Sequence, residues 1–195
     1  EIIKKYIDKM IVIFEFEKSW YKKRNVDVEY VGHPFLDIWQ KENTSKIIKK
    51  YNLDINKPIL TLFPGSRQQE LKKHLDLFIK TALKIKINLP ELQILLGVHP
   101  DIKLTQKIDD SITIIQDEPL KALELAHSAI VASGTATLQA AIMNTPAIVV
   151  YKMNFISWLL AKKMVKTRYA SMANIIADQK IVHENLIELI SDFTF

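Results

Sequence analysis

Short apolar segments alternate with longer amphipathic segments along this chain, and this alternation restricts its possible folds more than any other feature. Near-continuous apolar segments of this kind are typical of parallel strands that are covered by helices on both faces. The predicted strands are residues 10–14, 28–31, 58–63, 92–96, 112–115, 129–132 and 147–150. Between two of them, Leu71, Leu75, Phe78, Ile79 and Ala82 mark one face of a helix. The sequence therefore predicts an α/β fold with a Rossmann-like, doubly wound parallel sheet.

The polar stretch at residues 40–45 predicts a domain boundary. The two strands predicted before it are too few to form a stable sheet domain. We therefore expect residues 1–40 to be the incomplete end of one domain, residues 41–178 to form the main domain, and residues 179–195 to form a truncated helical tail. We interpret both chain ends as cuts in a longer protein, because the first residue is Glu1 and the last residues directly follow a helix-like stretch.

The composition of the chain limits its chemistry. The net charge of +5 and the pI of about 9.2 favour an anionic partner, without choosing among nucleotides, phospholipid surfaces and nucleic acid. The absence of cysteine excludes disulfides, thiolate metal sites and a cysteine nucleophile. The five histidines lack metal-ligand spacing, so we predict no metal site. No apolar segment approaches the roughly 20 residues that a membrane-spanning helix needs.

A first candidate site is the turn that joins the strand at 58–63 to the following helix. Gly65 allows a sharp turn and a close approach of the backbone to a ligand, and Ser66 is a good helix cap. A helix N-terminus favours an anion such as a diphosphate, and Arg67 adds a charged fork for phosphate oxygens. An ordinary strand–helix turn with a capping serine is the alternative interpretation.

A second candidate site is the turn after the strand at 129–132, where Ser133, Gly134 and Thr135 lie at the start of a predicted helix. In open α/β sheets, ligands bind at the carboxyl ends of the strands, so two such turns in one sheet would line one crevice. The chain lacks the glycine patterns of dinucleotide-binding turns and of P-loops, and neither of those sites is supported.

Two further segments leave both a structural and a functional interpretation open. His33, in Gly32-His33-Pro34, follows a predicted strand and is either structural or catalytic. Residues 155–166 combine bulky apolar side chains with lysines, which suits either a membrane interface or a helix packed on the core.

Four segments, taken in chain order, resemble the lipid-A-disaccharide synthases of glycosyltransferase family 19. They are residues 31–34 with Leu36-Asp37, 63–67 with Glu70, 132–138, and 173–177. Each motif is modest by itself, but the ordered set extends over nearly the whole chain and is specific.

The resemblance implies a GT-B architecture, of which residues 1–40 would end the N-terminal domain and 41–178 would form the domain that binds the UDP-sugar. It implies transfer from UDP-2,3-diacylglucosamine to 2,3-diacylglucosamine 1-phosphate (lipid X), giving lipid A disaccharide 1-phosphate and UDP. No metal, other cofactor or nucleic acid is implied. The enzyme would act as a peripheral protein on the cytoplasmic face of the inner membrane. The catalytic base is expected in the missing part of the N-terminal domain, so none is assigned here, and we expect the isolated chain to bind UDP weakly without turnover.

The resemblance also assigns substrate-binding residues and shows departures from the family pattern. The assigned residues are Gly65, Ser66, Arg67, Ser133, Gly134, Thr135, Thr137, Gln139, Asn174 and Glu184. Gln139 stands where the family usually has a glutamate for the ribose hydroxyls, which weakens that hydrogen bond by about 1 kcal/mol. Ala173 replaces a usual proline, and Ile187 a usual glutamine.

Two other functions are compatible with the residues. One is a non-catalytic basic module that binds a membrane surface or nucleic acid. The other is a different GT-B enzyme that uses UDP-N-acetylglucosamine, such as a 2-epimerase or a murein-pathway glycosyltransferase, although those families have turns richer in glycine than 63–67 and 133–137.

Overall fold

The computed structural model describes residues 2–41, 43–153, 169, 171–179 and 183–188, the last of these by their backbone. The chain divides into two compact units, residues 1–42 and 43–195. In the first unit, β1 (Met10–Val12) and β2 (Val28–Tyr30) form a parallel pair. Its helices are α1 (Ile2–Tyr6), α2 (Glu15–Lys22) and α3 (Phe35–Ile38).

His33 has a structural role at the start of α3. Its Nδ1 atom accepts a hydrogen bond from the Phe35 backbone N–H at 3.2 Å, and its ring lies 5.5 Å from the ring of Phe14. These contacts satisfy an N–H group at the helix start that has no partner within the helix. The structural interpretation of this histidine therefore accounts for its position.

The second unit contains a parallel sheet of six strands, which confirms the predicted doubly wound α/β fold. The strands are β3 (Ile59–Phe63), β4 (Gln93–Gly97), β5 (Ile112–Ile115), β6 (Ser128–Ala132), β7 (Ala147–Met153) and β8 (His183–Glu188). Their order in the sheet is β5-β4-β3-β6-β7-β8. The helices that the structure describes in this unit are α4 (Ser45–Lys50), α5 (Gln68–Asn88), α6 (Leu120–Glu124), α7 (Thr135–Ile142) and α8 (Met172–Ala177).

The core lies between the sheet and its helices, and α5 covers the largest part of it. The predicted apolar face of α5 is buried at Leu71, Leu75, Phe78 and Ala82, whereas Ile79 lies at its half-buried margin. Burial of each large apolar side chain contributes about 1.5–3 kcal/mol. This packing holds α5 against β3, so that the turn between them has a defined position.

The order of the strands places a switch point between β3 and β6. From β3 the chain continues to β4 and β5 on one side, and from β6 it continues to β7 and β8 on the other. Phe63, the last residue of β3, pairs with Val131, which is followed by the last residue of β6, Ala132. Both strands therefore end at the same edge of the sheet, and such a switch point is where a crevice opens in doubly wound sheets.

The prediction of a helical tail is wrong for residues 183–188. These residues form β8, a parallel edge strand that pairs with β7 from Ile148↔His183 to Met153↔Glu188. β7 continues for three residues beyond Val150, the partner of the last β6 residue, and its backbone groups there require hydrogen-bond partners. Pairing with β8 satisfies part of that requirement.

Candidate functional site

The turn between β3 and α5 requires glycine at position 65. Gly65 has φ +135°, and a Cβ added to it would lie 2.5 Å from the Glu70 Cβ atom and 2.7 Å from the Glu70 Oε2 atom. Any other residue would therefore be strained in its backbone and would also collide with α5. The first turn of α5 thus packs directly on the backbone of the loop.

The start of α5 differs from the predicted arrangement, in which Ser66 caps the helix. The N-cap residue is Arg67, with φ −120° and ψ 145°, and no side chain caps this end. Instead, the Ser66 N–H donates a hydrogen bond to Glu70 Oε2 at 3.1 Å. The reason is that Glu70 lies in the first turn, where a carboxylate is attracted by the free N–H groups of the helix start. Ser66 and Arg67 are exposed, and the Arg67 side chain has no hydrogen bond or ion pair to any described residue.

The turn between β6 and α7 is open on its outer side. Gly134 is the N-cap of α7 with φ +149°, and a Cβ added to it would have no atom within 4 Å. The glycine is therefore required by backbone conformation and not by lack of space. Thr135, the first residue of α7, is exposed, whereas Ser133 is half-buried and donates its N–H to the Val150 carbonyl at 3.3 Å.

Thr137 does not present its hydroxyl to the crevice, in contrast to the predicted ligand contact. The residue is only 2% exposed. Its hydroxyl donates to the Gly134 carbonyl at 2.8 Å and accepts from the Met172 N–H at 3.2 Å. The hydroxyl thus acts as both donor and acceptor, and it joins the start of α7 to the start of α8. Thr137 therefore helps to position the turn between β6 and α7 from its buried side.

Thr135 and Gln139 share one face of α7, because residues four apart are neighbours on a helix. Thr135 is exposed and Gln139 is half-buried, which leaves both on the side of α7 that is not packed against the core. Thr137, two residues from each, lies on the opposite, buried side. Of the three predicted ligand contacts on α7, two are therefore accessible.

Asn174 is also buried, and its predicted contact with a ligand stays a prediction. The residue is 0% exposed, and its N–H donates to the Ser171 hydroxyl at 3.2 Å, which caps α8. Glu184 lies in β8 opposite Val149, in the row of paired residues that also contains Val131 and Phe63. The side chain of Glu184 lies outside the described residues.

His74 is a central residue of this region that sequence analysis missed. It lies on the buried face of α5 and is 1% exposed. Its Nδ1 atom is 2.9 Å from the Pro64 carbonyl oxygen, and its Nε2 atom is 2.9 Å from the Lys152 backbone nitrogen. A polar residue at position 74, within the apolar periodicity of α5, was the one signal in the sequence that pointed to such a role.

The electrostatics of this edge favour an anion. Both α5 and α7 begin here, and the N-terminus of a helix carries a partial positive charge. The side chain of Arg67 adds a full positive charge, which the carboxylate of Glu70 opposes in part. In the part of the chain that the structure describes, no three His, Asp or Glu residues converge in a way that could hold a metal ion.

Comparison with known proteins identifies the family to which this chain belongs. Residues 1–192 match the lipid-A-disaccharide synthetase family. The chain belongs to that family. The family assignment made from the sequence rested on the motifs around Gly32, Gly65, Gly134 and Asn174, and it is confirmed.

Curated relatives show the same relationship over about half of their length. The lipid-A-disaccharide synthase of Coxiella burnetii (strain CbuK_Q154) is 35% identical over 188 residues, covering 94% of this chain and 50% of that protein. Lipid-A-disaccharide synthase 1 of Legionella pneumophila (strain Lens) is 32% identical over 192 residues, covering 95% of this chain and 50% of that protein. The synthase of Syntrophotalea carbinolica is 34% identical over 190 residues, covering 93% and 48%. This chain therefore spans about half the length of the relatives it matches.

A solved structure with a similar fold is the sucrose-phosphate synthase from Thermosynechococcus elongatus. The TM-score is 0.51 at 15% sequence identity, and the match covers 97% of this chain and 47% of that one. At this identity the similarity concerns the fold, and it agrees with the Rossmann-like sheet described above.

Proposed function

We propose that this chain is the nucleotide-binding half of a lipid-A-disaccharide synthase. The whole enzyme would transfer the sugar of UDP-2,3-diacylglucosamine to lipid X, releasing UDP. The observation that carries the proposal is the position of the Gly65 and Gly134 turns, which follow adjacent strands at the switch point of the sheet. The family of the chain supplies the reaction.

The chemistry suits the release of a diphosphate without a metal. In the reaction, the bond between the anomeric carbon and the UDP oxygen breaks, and a bond to the acceptor hydroxyl oxygen forms. Negative charge then develops on the leaving diphosphate. The N-termini of α5 and α7 and the guanidinium of Arg67 would stabilise this charge. The proton of the acceptor hydroxyl goes to a base that we do not assign to this chain.

The predicted site residues take different parts in this proposal. Gly65, Ser66 and Arg67 would lie on one side of the diphosphate, and Ser133, Gly134 and Thr135 on the other. Gln139 would accept a hydrogen bond from the ribose. Glu184 remains a predicted contact to the donor. Thr137 and Asn174, which are buried, would act by positioning the starts of α7 and α8.

We also propose that the enzyme works as a peripheral protein on the cytoplasmic face of the inner membrane, with no nucleic acid partner. Both substrates carry acyl chains, and the net charge of +5 would favour contact with anionic lipid. Residues 155–166, the predicted candidates for such contact, lie outside the described residues. None of the described helices is long and apolar enough to cross a bilayer.

The test is a titration of the chain with UDP by isothermal calorimetry, with Arg67→Ala as the variant. Loss of a charged hydrogen bond to phosphate should weaken binding by about tenfold or more. Lys80→Ala is the matched control, because it removes a positive charge from the same helix about 20 Å from Arg67. No UDP binding, or an equal loss in both variants, would contradict the proposal.

A further inference from the structure

His74 connects the turn after β3 with the end of β7, two segments that β6 separates in the sheet. It reaches the Pro64 carbonyl in the turn after β3, and it reaches the Lys152 N–H in the part of β7 that extends beyond β6. Neighbouring strands lie about 4.8 Å apart, so β3 and β7 are separated by about 10 Å at this level. One imidazole ring, projecting from α5, bridges this gap.

The end of β6 explains why β7 needs this contact. The Ser133 N–H donates to the Val150 carbonyl, and this is the last β6–β7 hydrogen bond before the chain turns at Gly134 into α7. Backbone groups that face the same neighbouring strand recur every second residue, so the next N–H of β7 on this side is that of Lys152. β6 no longer supplies an acceptor there, and His74 Nε2 takes its place.

These two bonds determine the protonation state of the ring. A backbone N–H can only donate, so the Nε2 atom that faces Lys152 must carry a lone pair. The proton is then on Nδ1, which donates to the Pro64 carbonyl. Burial lowers the pKa of His74 below its ordinary value, which favours the same neutral state.

The charged and titratable groups around the ring have opposing effects. On α5, Glu70 raises the pKa of His74 and Lys73 lowers it, and both effects are smaller than that of burial. On β7, the Tyr151 ring lies 5.3 Å from the imidazole, and Lys152 contributes its backbone N–H. In the turn after β3, the contact is the Pro64 carbonyl, which does not titrate.

We propose that His74, in its neutral form, is a positioning residue for the diphosphate site, because it ties the Pro64-Gly65 turn to the extension of β7. This inference rests on the proposed function, since it assigns to His74 the role of keeping the Gly65 turn in place for the nucleotide. Protonation would direct an N–H at the N–H of Lys152 and break the connection. Binding of UDP should then weaken on acidification by more than the titration of the ligand itself explains.

The variants separate the two hydrogen bonds. His74→Phe keeps an aromatic ring at this position but removes both hydrogen bonds of the imidazole. We expect roughly tenfold weaker binding of UDP by this variant at pH 7.5. His74→Gln can place its amide oxygen near the position of Nε2, and it should recover part of that loss. Because glutamine does not titrate, the ratio of the dissociation constants of wild type and His74→Gln should stay constant while the folded ring is neutral. It should rise only as the pH falls through the lowered pKa of His74.

His127→Asn is the matched control. His127 is also a structural histidine. Its Nδ1 atom accepts a hydrogen bond from the Ile59 N–H at 3.1 Å, at the amino-terminal end of β3 and therefore at the end of the strand opposite to the Gly65 turn. Its substitution should leave the affinity for UDP within about twofold, whatever it does to stability. Equal losses in His127→Asn and His74→Phe would show a general effect of destabilisation and would overturn the proposal.

A second measurement keeps the test independent of the proposed function. Nitrogen chemical shifts of the His74 imidazole should show a proton on Nδ1 and none on Nε2 at pH 7.5. A proton on Nε2, or a folded His74→Phe variant with unchanged UDP affinity, would overturn the role of His74. If the wild type binds no UDP at any pH, the proposed function fails, whereas the imidazole shifts still decide whether the connection exists.

Discussion

The carboxylate of Glu70 accepts a hydrogen bond from the Ser66 N–H at 3.1 Å, within the turn where we place a diphosphate. The carboxylate therefore orders the turn in the absence of a ligand, and a phosphate that used the same N–H would have to replace it. Glu70 thus has two opposing effects on the site: it preorganises the backbone, and it repels an anion.

Substitution of Glu70 by glutamine should separate these two effects. The amide oxygen can still accept from Ser66, but the negative charge is gone. We expect tighter binding of UDP by a few-fold and a loss of about 0.3–1 kcal/mol in the free energy of unfolding, because the helix start loses a favourable charge. Calorimetry and urea unfolding measure the two quantities. Weaker binding of UDP by Glu70→Gln would show that preorganisation depends on the charge itself.

The two turn glycines should respond differently to alanine. Both Gly65 and Gly134 have φ values that strain any other residue, which costs about 1–3 kcal/mol. An alanine at 65 would also collide with Glu70, whereas an alanine at 134 meets no atom within 4 Å. Gly65→Ala should therefore lower the free energy of unfolding more than Gly134→Ala does, as chemical denaturation can measure. An equal loss would mean that α5 moves away from the turn without cost.

The hydroxyl of Thr137 should matter for both stability and binding. Thr137→Val keeps the shape and leaves the Met172 N–H without its acceptor, which should cost about 1–3 kcal/mol of unfolding free energy, whereas Thr137→Ser should retain most of it.

Thr145→Val is the control for Thr137→Val. The buried hydroxyl of Thr145 donates a hydrogen bond to the Leu123 carbonyl at 2.8 Å. Thr145 lies just before β7 begins, at the amino-terminal ends of the strands and away from the predicted site. We expect both valine variants to be less stable but only Thr137→Val to bind UDP more weakly. A similar weakening in Thr145→Val would remove Thr137 from the site.

The stability of the protein should depend on pH through His74. The pKa of this group is lowered in the folded state from an ordinary value of 6.5. Above pH 6.5 the ring is neutral in both states, and its contribution to stability is fully present. As the pH falls below 6.5, the unfolded chain binds a proton that the folded chain does not, so the free energy of unfolding decreases by up to about 1.4 kcal/mol per pH unit until the folded pKa is reached.

Urea unfolding of wild type and His74→Gln between pH 7.5 and 5.0 measures this dependence. The difference between the two proteins should shrink on acidification, since glutamine has no proton to bind. A difference that stays constant over this range would mean that His74 is protonated equally in the folded and unfolded states.

Substitution of Gln139 by glutamate, the residue that the family resemblance leads us to expect there, should strengthen binding. A carboxylate accepts a stronger hydrogen bond from a ribose hydroxyl than an amide does, so Gln139→Glu should gain about 1 kcal/mol, or roughly fivefold, for UDP. The same variant titrated with 2′-deoxy-UDP should show a smaller gain if the 2′-hydroxyl is the partner. An identical gain with both ligands would exclude a contact to that hydroxyl.

The seven strands predicted from the sequence are all present in the structure, and the turns around Gly65 and Gly134 lie directly after two of them. Apolar runs and the helical spacing from Leu71 to Ala82 were sufficient for this, because local periodicity reports which faces of an element are buried. The order of motifs was also sufficient to recognise the family. Which residue types can accept φ near +135° is likewise a local property of the chain.

Tertiary structure alone decided which polar groups in this region are accessible and which are used to hold it together. Thr137 and Asn174 are buried, His74 connects α5 to the turn after β3 and to β7, and β8 pairs with β7 along the side that β6 does not cover. Each of these results depends on contacts between residues far apart in sequence, about which local periodicity carries no information. The sequence shows the residue type, but it does not show whether a hydroxyl, amide or imidazole faces a ligand or a backbone group. Only the packing of the surrounding residues determines which partner that group meets.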